Sequence, residues 1–464
     1  MASQYWLPPE VWTMVFHMFS TEDRDIGSVR LTCKIFEELA TPFLLPPPRI
    51  LCTPLSGSLA TLTAVSYWLP PEVWTMVFHM FSTEDRDIGS VRLTCKIFEE
   101  LATPFLLPPP RILCTPLSGS LATLTAVSRH PVLSKSVMEV IYDCNRYHFV
   151  ETITKYKEAL RRAKRLPGRS KESKSEEENR DLMTGFSQYR QTYDNQATME
   201  NSGEVIACLC SALMRMPHIK KITISPNFEC FLDTQHVDSI YFLEPDPAYN
   251  EAFLLMARVL SLTGTKIHDF NIETNDDPIG NRDPVGVNGA LFRVMSSSNL
   301  NHCCKAFRGL RSVTIAADEN DVDGWMTGNL AEMLSGATDL EKLNINGCHP
   351  HFQISTKYIL STTTWSRLTS LRFTHVTLDQ RDFLELLIRH SGTLKDIDLF
   401  SVCLTNGSWK ILLEGLKPHF SLQRISIDYP SEQNGESYEE IYLKLKHASK
   451  SWLLNDGLLS EWTF

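Results

Sequence analysis

The chain predicts small helical bundles followed by a longer α/β region of repeating strand–helix units, and three observations lead there. A 62-residue block is written twice, back to back: Tyr5–Ser66 recurs without change as Tyr67–Ser128. Within the block, apolar residues fall at helical spacing. Downstream, an apolar-x-x-apolar-x-apolar pattern returns every 26–30 residues between Leu310 and Ile427. With 464 residues there is room for two to four domains, and 43% hydrophobic with 22% charged residues is an ordinary globular balance.

The block comes first. Pro8-Pro9-Glu10 opens a helix, since proline suits the first turn and an acid suits its positive end. Val11, Met14, Val15, Met18 and Phe19 then make one apolar face. Ser20-Thr21-Glu22-Asp23 caps the next helix. Val29, Thr32, Cys33, Phe36 and Ala40 make a second stripe, ended by Thr41-Pro42. A bundle of about 40 residues rarely holds itself together without docking on something. The identity of the two copies is not a folding requirement, because exposed substitutions cost under about 0.5 kcal/mol and an old duplication drifts. The duplication is recent or arose in assembling the gene sequence.

These residues resemble the F-box in the style common in filamentous fungi. The resemblance is carried by Leu7-Pro8-Pro9-Glu10, Val15-Phe16, Phe19, Asp25-Ile26 and Val29-Arg30-Leu31-Thr32-Cys33-Lys34-Ile35-Phe36, with the continuation Ser128–Asp143. It implies a bundle that docks on the Skp adaptor of an SCF ubiquitin ligase, and through it on a cullin. In the second copy, Leu69, Pro70, Glu72, Val73, Val77 and Phe78 fall at or near the implied adaptor contact. Phe81, Val91, Arg92, Cys95 and Phe98 belong to the later helix, with bundle core as the competing role, above all for Cys95 and Phe98. The Pro47-Pro48 extension, repeated at Pro109-Pro110, departs from the family and puts the exit path in question. The second copy is the better working candidate, because it runs directly into Arg129-His130-Pro131.

The expected layout is thus F-box copy 1 with its Pro-rich tail at 5–66, copy 2 at 67–128, and connecting helices at 129–163. A charged flexible linker follows at 164–182, then a repeat domain at 183–464. The linker has Arg161-Arg162-Ala163-Lys164-Arg165 at its entry and Glu176-Glu177-Glu178 within it. Such segregated charge with Pro, Gly and Ser reads as a solvated loop; a nuclear import signal is the sharper alternative.

In the repeat domain, Leu310-x-x-Val313-x-Ile315, Leu340-x-x-Leu343-x-Ile345, Leu368-x-x-Leu371-x-Phe373, Leu394-x-x-Ile397-x-Leu399 and Leu422-x-x-Ile425-x-Ile427 share one template. Their starts lie 30, 28, 26 and 28 residues apart. That is the strand signature and period of a leucine-rich repeat. Ile219-x-x-Ile222-x-Ile224 and Ile267-x-x-Phe270-x-Ile272 fit it with longer insertions. Helical stretches such as Asp382–His390 and Trp409–Leu416 lie between strands, so the units are expected to stack into a curved solenoid, a horseshoe with a parallel sheet inside the curve. Residues between the inward apolar ones face the hollow. Lys342, Asn344, Arg372, Asp396, Asp398 and Arg424 are therefore the candidate target contacts, with plain solvation as the alternative.

Composition and motifs exclude other classes. A formal charge of −10 argues against general nucleic-acid binding. The longest apolar run, Ala252–Leu262, is short and holds Arg258, so no membrane span is expected. The N-terminus lacks the form of a signal peptide, and the 12 cysteines form no C-x-x-C pair, which suits a reducing cytoplasmic or nuclear setting. Cys348-His349-Pro350-His351 lacks a second ligand pair at zinc spacing. We find no phosphate loop, nucleophile elbow or H-E-x-x-H. The expectation is a non-enzyme without cofactor or metal: the substrate-recognition subunit of an SCF-type ligase, its repeat domain binding an unknown target protein. The alternative is a leucine-rich-repeat scaffold with no role in ubiquitination.

Overall fold

Each stretch with apolar residues at alternate positions becomes a parallel strand, and the strands follow one another across the sheet in chain order. The computed structural model describes residues 111–163, 176–226, 248–274, 285–318, 320–347, 352–353, 356–360, 363–416, 422–433 and 461–463. All belong to one unit, Pro71–Phe464. The two blocks expected to be F-box bundles, with Leu69, Pro70, Glu72, Val73, Val77, Phe78, Phe81, Arg92, Cys95 and Phe98, lie outside the described residues, as do 164–175 of the expected linker and Cys348–His351.

The elements run β1 (Arg111–Cys114), α1 (Ser118–Arg129), α2 (Leu133–Ser136), β2 (Glu139–Asp143), α3 (Ile153–Ala163), α4 (Glu176–Ser202), α5 (Glu204–Leu213) and β3 (Lys221–Ser225). Next come α6 (Tyr249–Thr263), β4 (Asp269–Ile272), α7 (Ala290–Arg293), α8 (Ser297–Phe307), β5 (Ser312–Ala317), α9 (Val322–Trp325), α10 (Asn329–Ser335) and β6 (Lys342–Gly347). The last stretch holds β7 (Phe352–Gln353), α11 (Thr356–Leu360), β8 (Ser370–Thr374), β9 (Val376–Asp379), α12 (Gln380–Arg389), β10 (Asp396–Phe400), β11 (Cys403–Thr405), α13 (Trp409–Leu416), β12 (Arg424–Asp428), β13 (Ser431–Glu432) and β14 (Glu461–Thr463).

The main sheet has ten strands in the order β1-β2-β3-β4-β5-β6-β8-β10-β12-β14, every pair parallel. A second parallel sheet, β13-β11-β9-β7, is made by the short strands that follow the main ones. Successive helices pack on each other as well, α1 on α5, α5 on α6, α6 on α8, and so on to α12 on α13. The fold is mixed α/β. The template supplies the sheet side of its core: Leu340, Leu343, Ile345, Leu368, Leu371, Phe373, Leu394, Ile397 and Leu399 are all buried, each stabilising by about 1.5–3 kcal/mol on transfer from water.

The sheet begins earlier than the sequence suggested. Its first strand and helix come from the tail of the second block copy, and β2 lies in the segment read as connecting helices. Val137-x-x-Val140-x-Tyr142 does satisfy the template, with all three residues buried, but a tyrosine takes the last apolar position. The proline run 108–110 directly precedes β1, so the anomalous exit leads into a strand, whose ladder proline itself could not join.

Two local devices keep the later units in register. After β8, β10 and β12 the chain turns through a left-handed residue, His375 (φ 53°), Ser401 (φ 52°) and Tyr429 (φ 51°). Their backbones are tied across units, His375 N–H donating to Phe400 O at 2.9 Å and Ser401 N–H to Asp428 O at 2.7 Å. In the helix layer, buried Trp365 donates from Nε1 to Leu334 O at 3.1 Å and from its backbone N–H to His390 Nε2 at 3.1 Å. Trp409, at the start of α13, is tied instead to β13 of the second sheet, its N–H reaching Glu432 Oε1 at 2.7 Å and its Nε1 reaching Ser431 O at 3.0 Å.

Candidate interaction face

In a strand whose Ile and Leu side chains face the helices, the residues between them point to the other side of the sheet. Parallel in-register pairing lines these residues up into rows across the strands. One row runs Arg111, Glu139, Lys221, Asp269, Ser312, Lys342, Ser370, Asp396, Arg424. The next runs Leu113, Ile141, Thr223, Asn271, Thr314, Asn344, Arg372, Asp398, Ser426. All six target-contact candidates read from the sequence therefore share one face and two adjacent rows.

What these candidates do on that face differs. Arg372 Nε lies 3.3 Å from Asp398 Oδ2, and Arg424 Nε 3.8 Å from Asp396 Oδ1. Four of the six are thus neutralised by a neighbour on the next strand. Lys342 and Asn344 are not. Lys342 is exposed and flanked in its row by two serines, and Asn344 Oδ1 is buried without a hydrogen-bond partner among the described residues.

Sequence reading missed the continuation of both rows into β2–β4, where they change character. Lys221 Nζ sits 3.0 Å from Glu139 Oε1, which also accepts from Thr223 Oγ1 at 2.6 Å. Ile141 and Thr223 are buried, at 2% and 1% exposure, so the face is closed there. Nearby, Arg146 forms an ion pair with Glu200 and donates to Tyr142 Oη at 3.1 Å. The signal was present as the polar residues inside KITI and DFNI, but without the register nothing joined them to Lys342.

Burial disfavours the charged form of three groups in the interior, His390, Cys114 and Cys303. His390 is pushed below the usual imidazole range, chiefly because charge is costly at its buried site, against a hydrogen bond to Leu386 O that favours the charged ring. Burial likewise pushes the Cys114 and Cys303 thiols up to about 12, so they are protonated packing groups rather than thiolates. Among the described residues, no group of three or more His, Cys, Asp or Glu is placed to hold a metal ion. No described helix is long and apolar enough to cross a membrane. The arrangement offers contact surface: hydrogen-bond donors and paired charges on a broad sheet face. Compared with known protein families and with curated proteins, the chain finds no match.

Proposed function

We propose that this chain is the substrate-recognition subunit of an SCF-type ubiquitin ligase. The duplicated F-box blocks hold the Skp adaptor, and through it a cullin; the α/β domain, taken as a leucine-rich-repeat-like solenoid, holds a target protein on its open sheet face. The chain itself performs no covalent step. It acts by tethering, which raises the effective concentration of the target's lysines near the charged ubiquitin carrier. The cytoplasm or nucleus is its setting.

One observation carries the reading: a single chain joins two Leu-Pro-Pro-Glu…Arg-Leu-Thr-Cys-Lys-Ile-Phe blocks to a parallel sheet with an open polar face. Supporting it, the second block's tail, residues 111–128, is built into the sheet as β1 and α1, so that block adjoins the α/β domain in sequence with no spacer. The test is co-expression with the Skp adaptor and native mass spectrometry of the complex. One adaptor per chain, lost on Leu69→Ala with Pro70→Ala, is the expected result and assigns the work to the second copy. Two adaptors mean that both copies bind. No adaptor on the wild-type chain sinks the receptor reading.

A further inference from the structure

Among the described residues, most polar residues of the open face are partnered toward its two ends, Asp269 excepted, and they are largely unpartnered in its middle. Toward β2–β4, Glu139 holds Lys221 and Thr223, and Asn271 donates to Glu273 at 2.9 Å. Toward β10–β12, two aspartates hold two arginines and Ser426 donates to Asp428 at 2.9 Å. Between them, β5, β6 and β8 present a contiguous block of two rows: Ser312, Lys342 and Ser370, then Thr314, Asn344 and Arg372. Among the described residues, only Arg372 of these six has a side-chain partner, the carboxylate of Asp398.

The chemistry of the block is one-sided. It holds hydroxyls, an amide and two cations, with no carboxylate inside it, in a chain of formal charge −10. Asp269 and Asp396 stand one strand beyond it on either side in the first row, and Asp398 in the second. Asn344 buries its Oδ1 without a donor among the described residues, which leaves the amide's N–H end as the part available for contact. Adjacent strands are about 4.8 Å apart, so the ammonium of Lys342 and its flanking hydroxyls can converge on one oxyanion. The cationic charge is limited. Arg372 is largely spent on Asp398, leaving about one uncompensated positive charge, which suits a monoanionic carboxylate better than a phosphate carrying about −1.5 to −2.

We propose that the β5–β6–β8 block is the specificity contact of this face and that it takes an acidic protein segment, seating an Asp or Glu carboxylate against Lys342 with Ser312, Ser370 and Asn344 donating around it. This rests on the reading of the open face as the target surface and adds the chemistry of the target. It does not depend on the adaptor.

The full chain tests it on an array of 12-residue peptides of varied sequence, including a phosphoserine set. Wild type is compared with Lys342→Glu, with Ser312→Ala plus Ser370→Ala, and with Lys410→Glu on the exposed side of α13 as a control. The expected result is retention of peptides enriched in Asp and Glu, a signal at least tenfold lower for Lys342→Glu, a smaller loss for the double serine variant, and no change for Lys410→Glu. Thermal melts that match wild type separate lost binding from lost folding. Retention without acidic bias overturns the proposal, and so does an equal loss in Lys410→Glu. A preference for phosphoserine over carboxylate peptides overturns the choice of ligand. Adaptor binding without acidic-peptide binding defeats this inference alone; acidic-peptide binding without the adaptor defeats the ligase reading and leaves this one standing.

Discussion

The two ends of the sheet are built from the same strand template and handle polar groups in opposite ways. At β2–β3 the face away from the helices is closed, and what is polar there is bonded to a neighbour, as Thr223 is to Glu139. From β5 to β12 the face is open and its rows show alternate exposure. The spacing differs in parallel: strands from β1 to β5 begin 28, 82, 48 and 43 residues apart, and those from β5 to β12 begin 30, 28, 26 and 28 apart. The long intervals carry extra structure. The one between β2 and β3 contains α3 and α4, with a separate buried cluster of Tyr147, Val150, Tyr156 and Tyr189. The lesson is that the face is closed at the end whose strands are separated by long insertions, and open at the end built of uninterrupted units.

The largest effect is expected in the regular part. Trp365 is 1% exposed, stacks on His390 at 5.5 Å, and links the unit before it to the unit after it through Leu334 and His390. Trp365→Ala should cost about 3–5 kcal/mol. In the inserted cluster, Tyr189→Phe removes only the hydroxyl bond to His148 O and should cost about 1 kcal/mol. Urea unfolding of both variants measures this. Equal losses would mean that the regular units are not coupled through Trp365.

A middle-sized effect separates the closed and open ends directly. Glu139→Ala strips the acceptor from Thr223, whose residue is 1% exposed, and orphans Lys221; an unsatisfied buried hydroxyl costs about 1–3 kcal/mol. Asp396→Ala, in the same row six strand positions along the sheet, breaks the 3.8 Å pair with Arg424 in the open and should cost no more than about 1 kcal/mol. Midpoints in the reverse order would contradict the description of one end as closed.

How far this was legible depends on which residues filled the template. The strands from β3 onward with Ile, Leu, Val or Phe at the apolar positions were readable, because period and residue type agreed. β1 and β2 were not: Ile112-x-Cys114 and Val140-x-Tyr142 put less typical residues at the last position, and β1 sits inside a block that a helical resemblance had already claimed. Lys342 and Arg372 could be placed on one face from alternation alone. That Arg372 is occupied and Lys342 is not required the register, which sets Asp398 beside one and Ser312 and Ser370 beside the other. No periodicity announces the left-handed turns at His375, Ser401 and Tyr429, since none is glycine.

The smallest effect is a slope in pH that belongs to the regular part alone. His390 accepts from the Trp365 N–H through Nε2 and faces Leu386 O with Nδ1, a pattern that the neutral ring with its proton on Nδ1 satisfies in full. Protonation would turn Nε2 into a second donor aimed at a donor, and burial opposes the charge besides. The folded pKa therefore lies below the unfolded value of about 6.5. Above that value both states hold the ring neutral and stability does not depend on it. As pH falls below about 6.5 the unfolded chain takes up a proton that the folded one refuses, so stability declines until the lower folded pKa is reached. Replacing the ring by Gln keeps a donor and an acceptor and removes the titration. Urea midpoints at pH 7.5 and 5.5 should then fall less for His390→Gln than for the wild type, the remaining fall coming from other groups. Equal falls would mean that His390 is not held neutral and that the Trp365 link is weaker than its geometry.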